Sequence, residues 1–132
     1  MSPSPPELFC DRSLGRHKVP DRLRQVHPNV TAHDDVFAMD TDDEVWLREA
    51  GHRGWIVLTK DDRIRYRPGE RDAILDASLR CFCLNPSTGM TGDQMAEVLV
   101  LVLPAILAIA AERPGGYIKG VNRQGRIRHL FP

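Results

Sequence analysis

Three aspartates far apart in the chain, Asp11, Asp43 and Asp61, each stand where an apolar run gives way to a loop or a helix start. Carboxylates that face one another repel, and relief comes from taking up protons or from attracting a cation. A hard divalent cation accepts oxygen ligands, usually keeps several waters and can bridge to a substrate phosphate. Its bound water can become a nucleophile. If the fold brings Asp11, Asp43 and Asp61 together, a metal-assisted reaction at phosphate is the chemistry that suits them, with Asp62 placed to assist or replace its neighbour. Each acid also has a plainer use, because aspartate favours turns and helix starts wherever it can accept a local backbone bond. That reading is strongest for Asp43, beside Asp42 at a helix start, where a negative charge complements the helix dipole.

Positioning the acids falls to short alternating elements. Glu7 to Cys10 is a strand ending at Asp11, and Gly15 supplies the next turn. Val19, Leu23 and Val26 recur at helical spacing, Pro20 fits a first helical turn, and Pro28 closes that helix. Asn29 to His33 reads as a second strand, followed by an irregular acidic segment, Asp34 to Asp40. Thr41-Asp42-Asp43-Glu44 has the form of a capping box opening a helix from Asp42 to His52. Trp55-Ile56-Val57-Leu58-Thr59 is a β-branched apolar run of the kind buried in a parallel sheet, and it ends at Lys60-Asp61-Asp62.

Glu70 to Ala77 is a further helix and Leu79 to Leu84 a further strand. Thr91-Gly92-Asp93-Gln94 is a second capping box, opening an apolar helix through Met95, Val98, Leu99, Val102, Ile106 and Ile109 that Pro104 should bend. Tyr117 to Val121 and Arg126 to Leu130 can pair across a turn. Strands alternating with helices favour an α/β fold with an open, mostly parallel sheet and helices on both faces. Ligands of such sheets bind beyond the strands' carboxyl ends, where Asp11 and Asp61 lie.

A chain of 132 residues, 42% of them apolar, suits one core. We divide it into a disordered Pro/Ser-rich tail, residues 1–6, a domain at 7–112 and an extension at 113–132. Basic and acidic residues balance at 18 each, which excludes a global field for nucleic acid or membrane. The run from Val98 to Ala111 is too short for a membrane span and reads as a buried helix, so no membrane partner is expected. Cys10, Cys81 and Cys83 include no CxxC pair and read as reduced, buried thiols, which favours a cytoplasmic location.

The segments Phe9-Cys10-Asp11-Arg12-Ser13-Leu14-Gly15, Asp40-Thr41-Asp42-Asp43-Glu44-Val45-Trp46-Leu47 and Val57-Leu58-Thr59-Lys60-Asp61 together resemble a PIN-like nuclease of the VapC-type toxin-like branch. The resemblance covers about Leu8 to Leu84. It implies a three-layer sandwich around a central, mostly parallel sheet, with acids that bind Mg2+ or Mn2+. It also implies endonucleolytic cleavage of RNA by a toxin restrained by an antitoxin protein. Asp11, Asp43 and Asp61 are the matching acids, whereas Arg63 stands where many relatives carry a fourth, which Asp62 or Asp93 would have to supplement.

Arg63, Arg65 and Arg67 alternate with Ile64 and Tyr66, so an extended segment would turn three guanidinium groups to one side, with Lys60 nearby. They either bind RNA phosphates or form a solvated charged strand. Trp46 and Trp55 read as core. The rival function is a catalytically weak PIN-like binding module acting through a protein partner. A phosphatase of the Asp-x-Asp type is disfavoured by Asp11-Arg12-Ser13. The apolar helix after Thr91 could also bury itself against a second copy in a homodimer.

Overall fold

A computed structural model describes residues 5–132; residues 1–4, most of the expected tail, lie outside the described part. The main-chain oxygens of Pro5 and Pro6 accept hydrogen bonds from Asn29 and His27, which ties the end of that tail to the domain. Six strands form one sheet in the order β2-β1-β3-β4-β5-β6. They are β1 (Leu8–Cys10), β2 (Val30–Ala32), β3 (Ile56–Thr59), β4 (Arg80–Leu84), β5 (Tyr117–Val121) and β6 (Ile127–Phe131). The first five pair in parallel, and β6 runs antiparallel to β5. Cys10, Leu58 and Phe82 are in register, so the loops after β1 and β3 leave the same edge.

Both faces of the sheet are covered, as the apolar β3 run requires. Alternate residues split between two cores. Leu8, Cys10, Leu58, Phe82 and Val121 pack with α1 (Lys18–Arg24) and α5 (Gly92–Glu112), while Phe9, Val57, Cys81 and Ile118 pack with α3 (Asp43–His52) and α4 (Pro68–Asp76). Phe9 sits at the centre of the second layer, stacked on Trp55 at 5.4 Å and tilted against Trp46 at 5.3 Å. The result is a three-layer α/β/α sandwich, and the three cysteines are free and buried.

Several local expectations change. The segment after His33 is not wholly irregular, because α2 (His33–Val36) forms there and Asp35 accepts from the Ala32 amide at 3.2 Å. Val26 lies beyond the end of α1 and is exposed, so it is not part of that helix's inner stripe. The first capping box does not form: Asp42, not Thr41, is the N-cap of α3, without a side-chain cap bond. The second does, with Thr91 and Gln94 exchanging bonds of 2.9 and 3.1 Å. Residues 113–132 supply β5 and β6 to the main sheet and so are continuous with it. Helix α5 continues through Pro104 and, at 21 residues, is long and apolar enough to cross a membrane by composition, yet its inner face is core of this sandwich.

Candidate metal centre

Asp11 is fixed from below. Its amide donates to the Leu58 carbonyl at 2.9 Å, tying the end of β1 to β3. The side chain is 4% exposed, and its Oδ2 accepts from Ser13 Oγ at 2.8 Å and Thr59 Oγ1 at 2.7 Å. Burial pushes the Asp11 pKa above the ordinary carboxylate value; the two hydroxyl donors oppose this, and the charge of Asp43 adds to it. Thr59 Oγ1 also accepts the Asp61 amide at 3.1 Å, so one hydroxyl links the two strand-end acids.

Asp43 opens α3, where Trp46 Nε1 donates to its Oδ1 at 2.8 Å. Asp61 caps the 3-10 turn Asp62–Tyr66 by accepting the Arg63 amide at 3.1 Å. Opposite them, the first turn of α4 contributes Glu70, which is 5% exposed. Oxygens of Asp43, Asp61 and Glu70 lie within 4.8 Å of one another. Burial raises the Glu70 pKa to about 7, helped by the neighbouring Asp43 carboxylate and opposed by the Arg67 guanidinium.

Arg67 Nη1 stands among these acids. It donates to Asp61 Oδ2 at 3.2 Å and to Glu70 Oε1 at 3.1 Å, and lies 3.6 Å from Asp43 Oδ2. Arg12 approaches Asp43 from the other side at 3.6 Å. Three carboxylates that already draw in an organic cation, and offer only oxygen donors, fit a hard divalent ion.

The sequence expectations are therefore met unevenly in space. Asp43 and Asp61 converge, but the third member of their compact cluster is Glu70. Asp11 instead lines an adjoining hollow of about 300 Å3 together with Arg12, Ser13, Asp43, Asp61, Arg63 and Arg67. Asp62 turns to Asn85, whose Nδ2 donates to it at 3.2 Å, and Asp93 pairs with Lys18 at 3.5 Å. Neither joins the cluster. The extended Arg63-Arg65-Arg67 segment is also corrected. The 3-10 turn buries Ile64, leaving Arg63 at the hollow and Arg67 among the acids, while Arg65 stacks over Tyr66 at 4.6 Å. Lys60 is exposed; only its amide contacts this region, donating to Ser13 Oγ at 3.2 Å.

Glu70 is not among the acids expected from the sequence, although the sequence carries a signal for it. Glu70, Ala73, Ile74 and Ala77 recur at i, i+3, i+4 and i+7, so the acid occupies the first inward position of an amphipathic helix. An ionisable group there requires a partner or a function. Glu44, expected to cap α3, instead lies against Gly69, where any Cβ would overlap its carboxylate.

Comparison with known proteins agrees with this geometry. A family model described as a PIN like domain matches residues 6–86. A protein of Mycobacterium tuberculosis (strain ATCC 25618 / H37Rv) named "Putative ribonuclease VapC45" is 34% identical over 127 residues, covering 93% of this chain and 91% of that protein. No solved structure gives a significant match.

Proposed function

Because the chain belongs to the PIN-like domain family, we propose that it is a metal-dependent endoribonuclease and the toxin of a toxin–antitoxin pair. The observation that carries the reading is the convergence of Asp43, Asp61 and Glu70 within 4.8 Å, with Asp11 lining the adjoining hollow. Mg2+ or Mn2+ is the ion the all-oxygen donor set suits, and RNA is the substrate that the relative's name indicates. When bound, such an ion lowers the pKa of a coordinated water and neutralises charge on a phosphate.

The chain's own residues supply the rest. Asp43, Asp61 and Glu70 hold the cation, and Asp11 adds a carboxylate whose position Thr59 and Ser13 fix through Oδ2. Arg63 and Arg12, at the rim of the hollow, are placed to meet phosphate oxygens. All three arginines rest on carboxylates, Arg63 on Asp61 at 3.3 Å and Arg12 near Asp43 at 3.6 Å, and Arg67 must likewise leave Asp61 and Glu70 to reach a phosphate. Incubation of purified protein with RNA and manganese, beside Asp61→Asn, tests the proposal; equal cleavage by both proteins rejects it.

The occupancy of the acid cluster by Arg67 favours a second reading, a catalytically weak module that acts through a protein partner. Calorimetry separates the two, since a module of that kind would not bind manganese while folded. We further propose an antitoxin protein as partner, which copurification from the native host would reveal. A homodimer formed through the outer face of α5 is supported by exposed Leu101, and light scattering tests it. Three free, buried cysteines support a cytoplasmic setting, which fractionation of the host would check.

A further inference from the structure

Lys119 is a largely buried residue whose ammonium faces a hollow without a counter-ion. It lies in the middle of β5 and is only 7% exposed. Among the described residues its ammonium is within ion-pairing distance of no carboxylate; its one hydrogen bond, at 2.9 Å, goes to Nδ1 of His129 on β6. An ammonium can only donate, so Nδ1 accepts, and the ring proton sits on Nε2, which donates to the Pro132 main-chain oxygen at 2.8 Å. The Tyr117 ring, 5.5 Å from Nζ, offers only its quadrupole.

The surroundings add positive charge. A hollow of about 230 Å3 between the end of α5 and the β5–β6 pair is lined by Ile109, Arg113, Lys119, Ile127, Arg128 and His129. No acid lines it, and among the described residues neither Arg113 nor Arg128 forms an ion pair. The nearby end of α5 compensates little, because the Ile109 carbonyl already accepts the Arg113 amide and the Ala110 carbonyl accepts Arg80. Burial and Arg113 both press the Lys119 pKa downward. Buried charges are normally paired, since an isolated one is strongly unfavourable.

We infer that this hollow is an oxyanion site that takes a phosphate group, with Lys119 at its base and Arg113 and Arg128 at its mouth. The arrangement suits that ligand: a compact ammonium supplies a point charge, and two flexible guanidinium groups supply paired donors. The contact with His129 uses one ammonium proton and leaves Lys119 two further protons to donate. The site shares no lining residue with the acidic hollow and does not depend on the nuclease reading. The phosphate is either a free inorganic ion or one belonging to an RNA backbone.

The test uses the whole chain, 15N-labelled and kept in chelator, titrated first with inorganic phosphate and then with a 2′-O-methyl oligoribonucleotide. Saturable shifts at Lys119, His129 and Arg113 are expected, and Lys119→Met and Arg128→Gln should each weaken binding about tenfold or more. Phosphate should raise the unfolding temperature of the wild type but not of Lys119→Met. Because that substitution removes an uncompensated charge, the variant should melt no lower than wild type in phosphate-free buffer. Should it fail to fold, exposed Arg128→Gln decides alone. Shifts at these residues with the oligonucleotide identify a backbone phosphate; shifts with inorganic phosphate only identify a free ion. Shifts that never saturate, or that both variants leave unchanged, overturn the inference. So does a response to a glutamate-rich peptide but not to phosphate, since the ligand would then be a protein carboxylate.

Discussion

Replacing Glu70 by Gln isolates the most perturbed carboxyl of the acid cluster. Its pKa rises from 4.5 to about 7 in the folded protein, chiefly through burial. A raised carboxyl pKa means that the folded chain holds a proton which the unfolded chain has already released. Stability from this group is therefore full below about pH 4.5 and is lost as the pH climbs through 7. At about 1.4 kcal/mol per unit, the span corresponds to at most about 3.5 kcal/mol, less whatever solvent screening removes. Gln keeps the shape and a carbonyl for Arg67 but cannot ionise, so it matches the wild type at pH 4.5 and becomes relatively more stable toward pH 8. Urea unfolding of both proteins in chelator, at half-unit pH steps, measures the difference. Parallel stability curves would refute both the burial argument and the influence of Asp43 on Glu70.

Other substitutions probe the supports of the site. Asp61→Asn should weaken manganese binding by about 100-fold or more in calorimetry while leaving the fold intact, since a neutral amide replaces one ligand. Thr59→Val deletes the hydroxyl shared by Asp11 and Asp61; urea unfolding should show a loss of about 1–3 kcal/mol, and calorimetry a tenfold or greater loss of manganese affinity, on the order of outer-shell effects. Gly115→Ala places a Cβ against the Ser78 backbone oxygen, which cannot swing aside, and should lower stability by about 1–3 kcal/mol without changing metal affinity.

The parts of this molecule that were legible in the sequence are those where local pattern and tertiary demand agree. Ile56 to Leu58 is apolar throughout because both faces of β3 are covered, and Asp61 follows where the chain leaves the sheet. Thr91 and Gln94 cap α5 through bonds that need nothing beyond four residues. Legibility failed where tertiary context decides. The alternation from Arg63 to Arg67 has the period of a strand, but Asp61 caps the turn, Ile64 is drawn into the core and Pro68 starts a helix, so the chain coils. Thr41 and Glu44 have the letters of a capping box, yet Asp42 stands at the boundary and Glu44 is directed to Gly69. Glu70 escaped notice because its value lies in which residues α4 faces, and that depends on the angle at which α3 and α4 meet.

Arg67 ties these points together, because it makes the acid cluster tolerable in the absence of a metal. Its guanidinium reaches Asp61 and Glu70 and lies 3.6 Å from Asp43, so it neutralises charge that a divalent ion would otherwise claim. Arg67→Gln should therefore act in opposite directions on two measurements. In chelator the variant unfolds earlier, by about 1 kcal/mol, a figure kept small because the Arg67 side chain is 38% exposed and solvent screens the pairs. With manganese the variant binds more tightly, by about fivefold, since that same energy no longer has to be given up when the cation enters. A side chain that only braced the fold would lower stability without improving affinity. One that only contacted RNA would change neither, so a variant that matches the wild type in both assays would remove Arg67 from the metal centre.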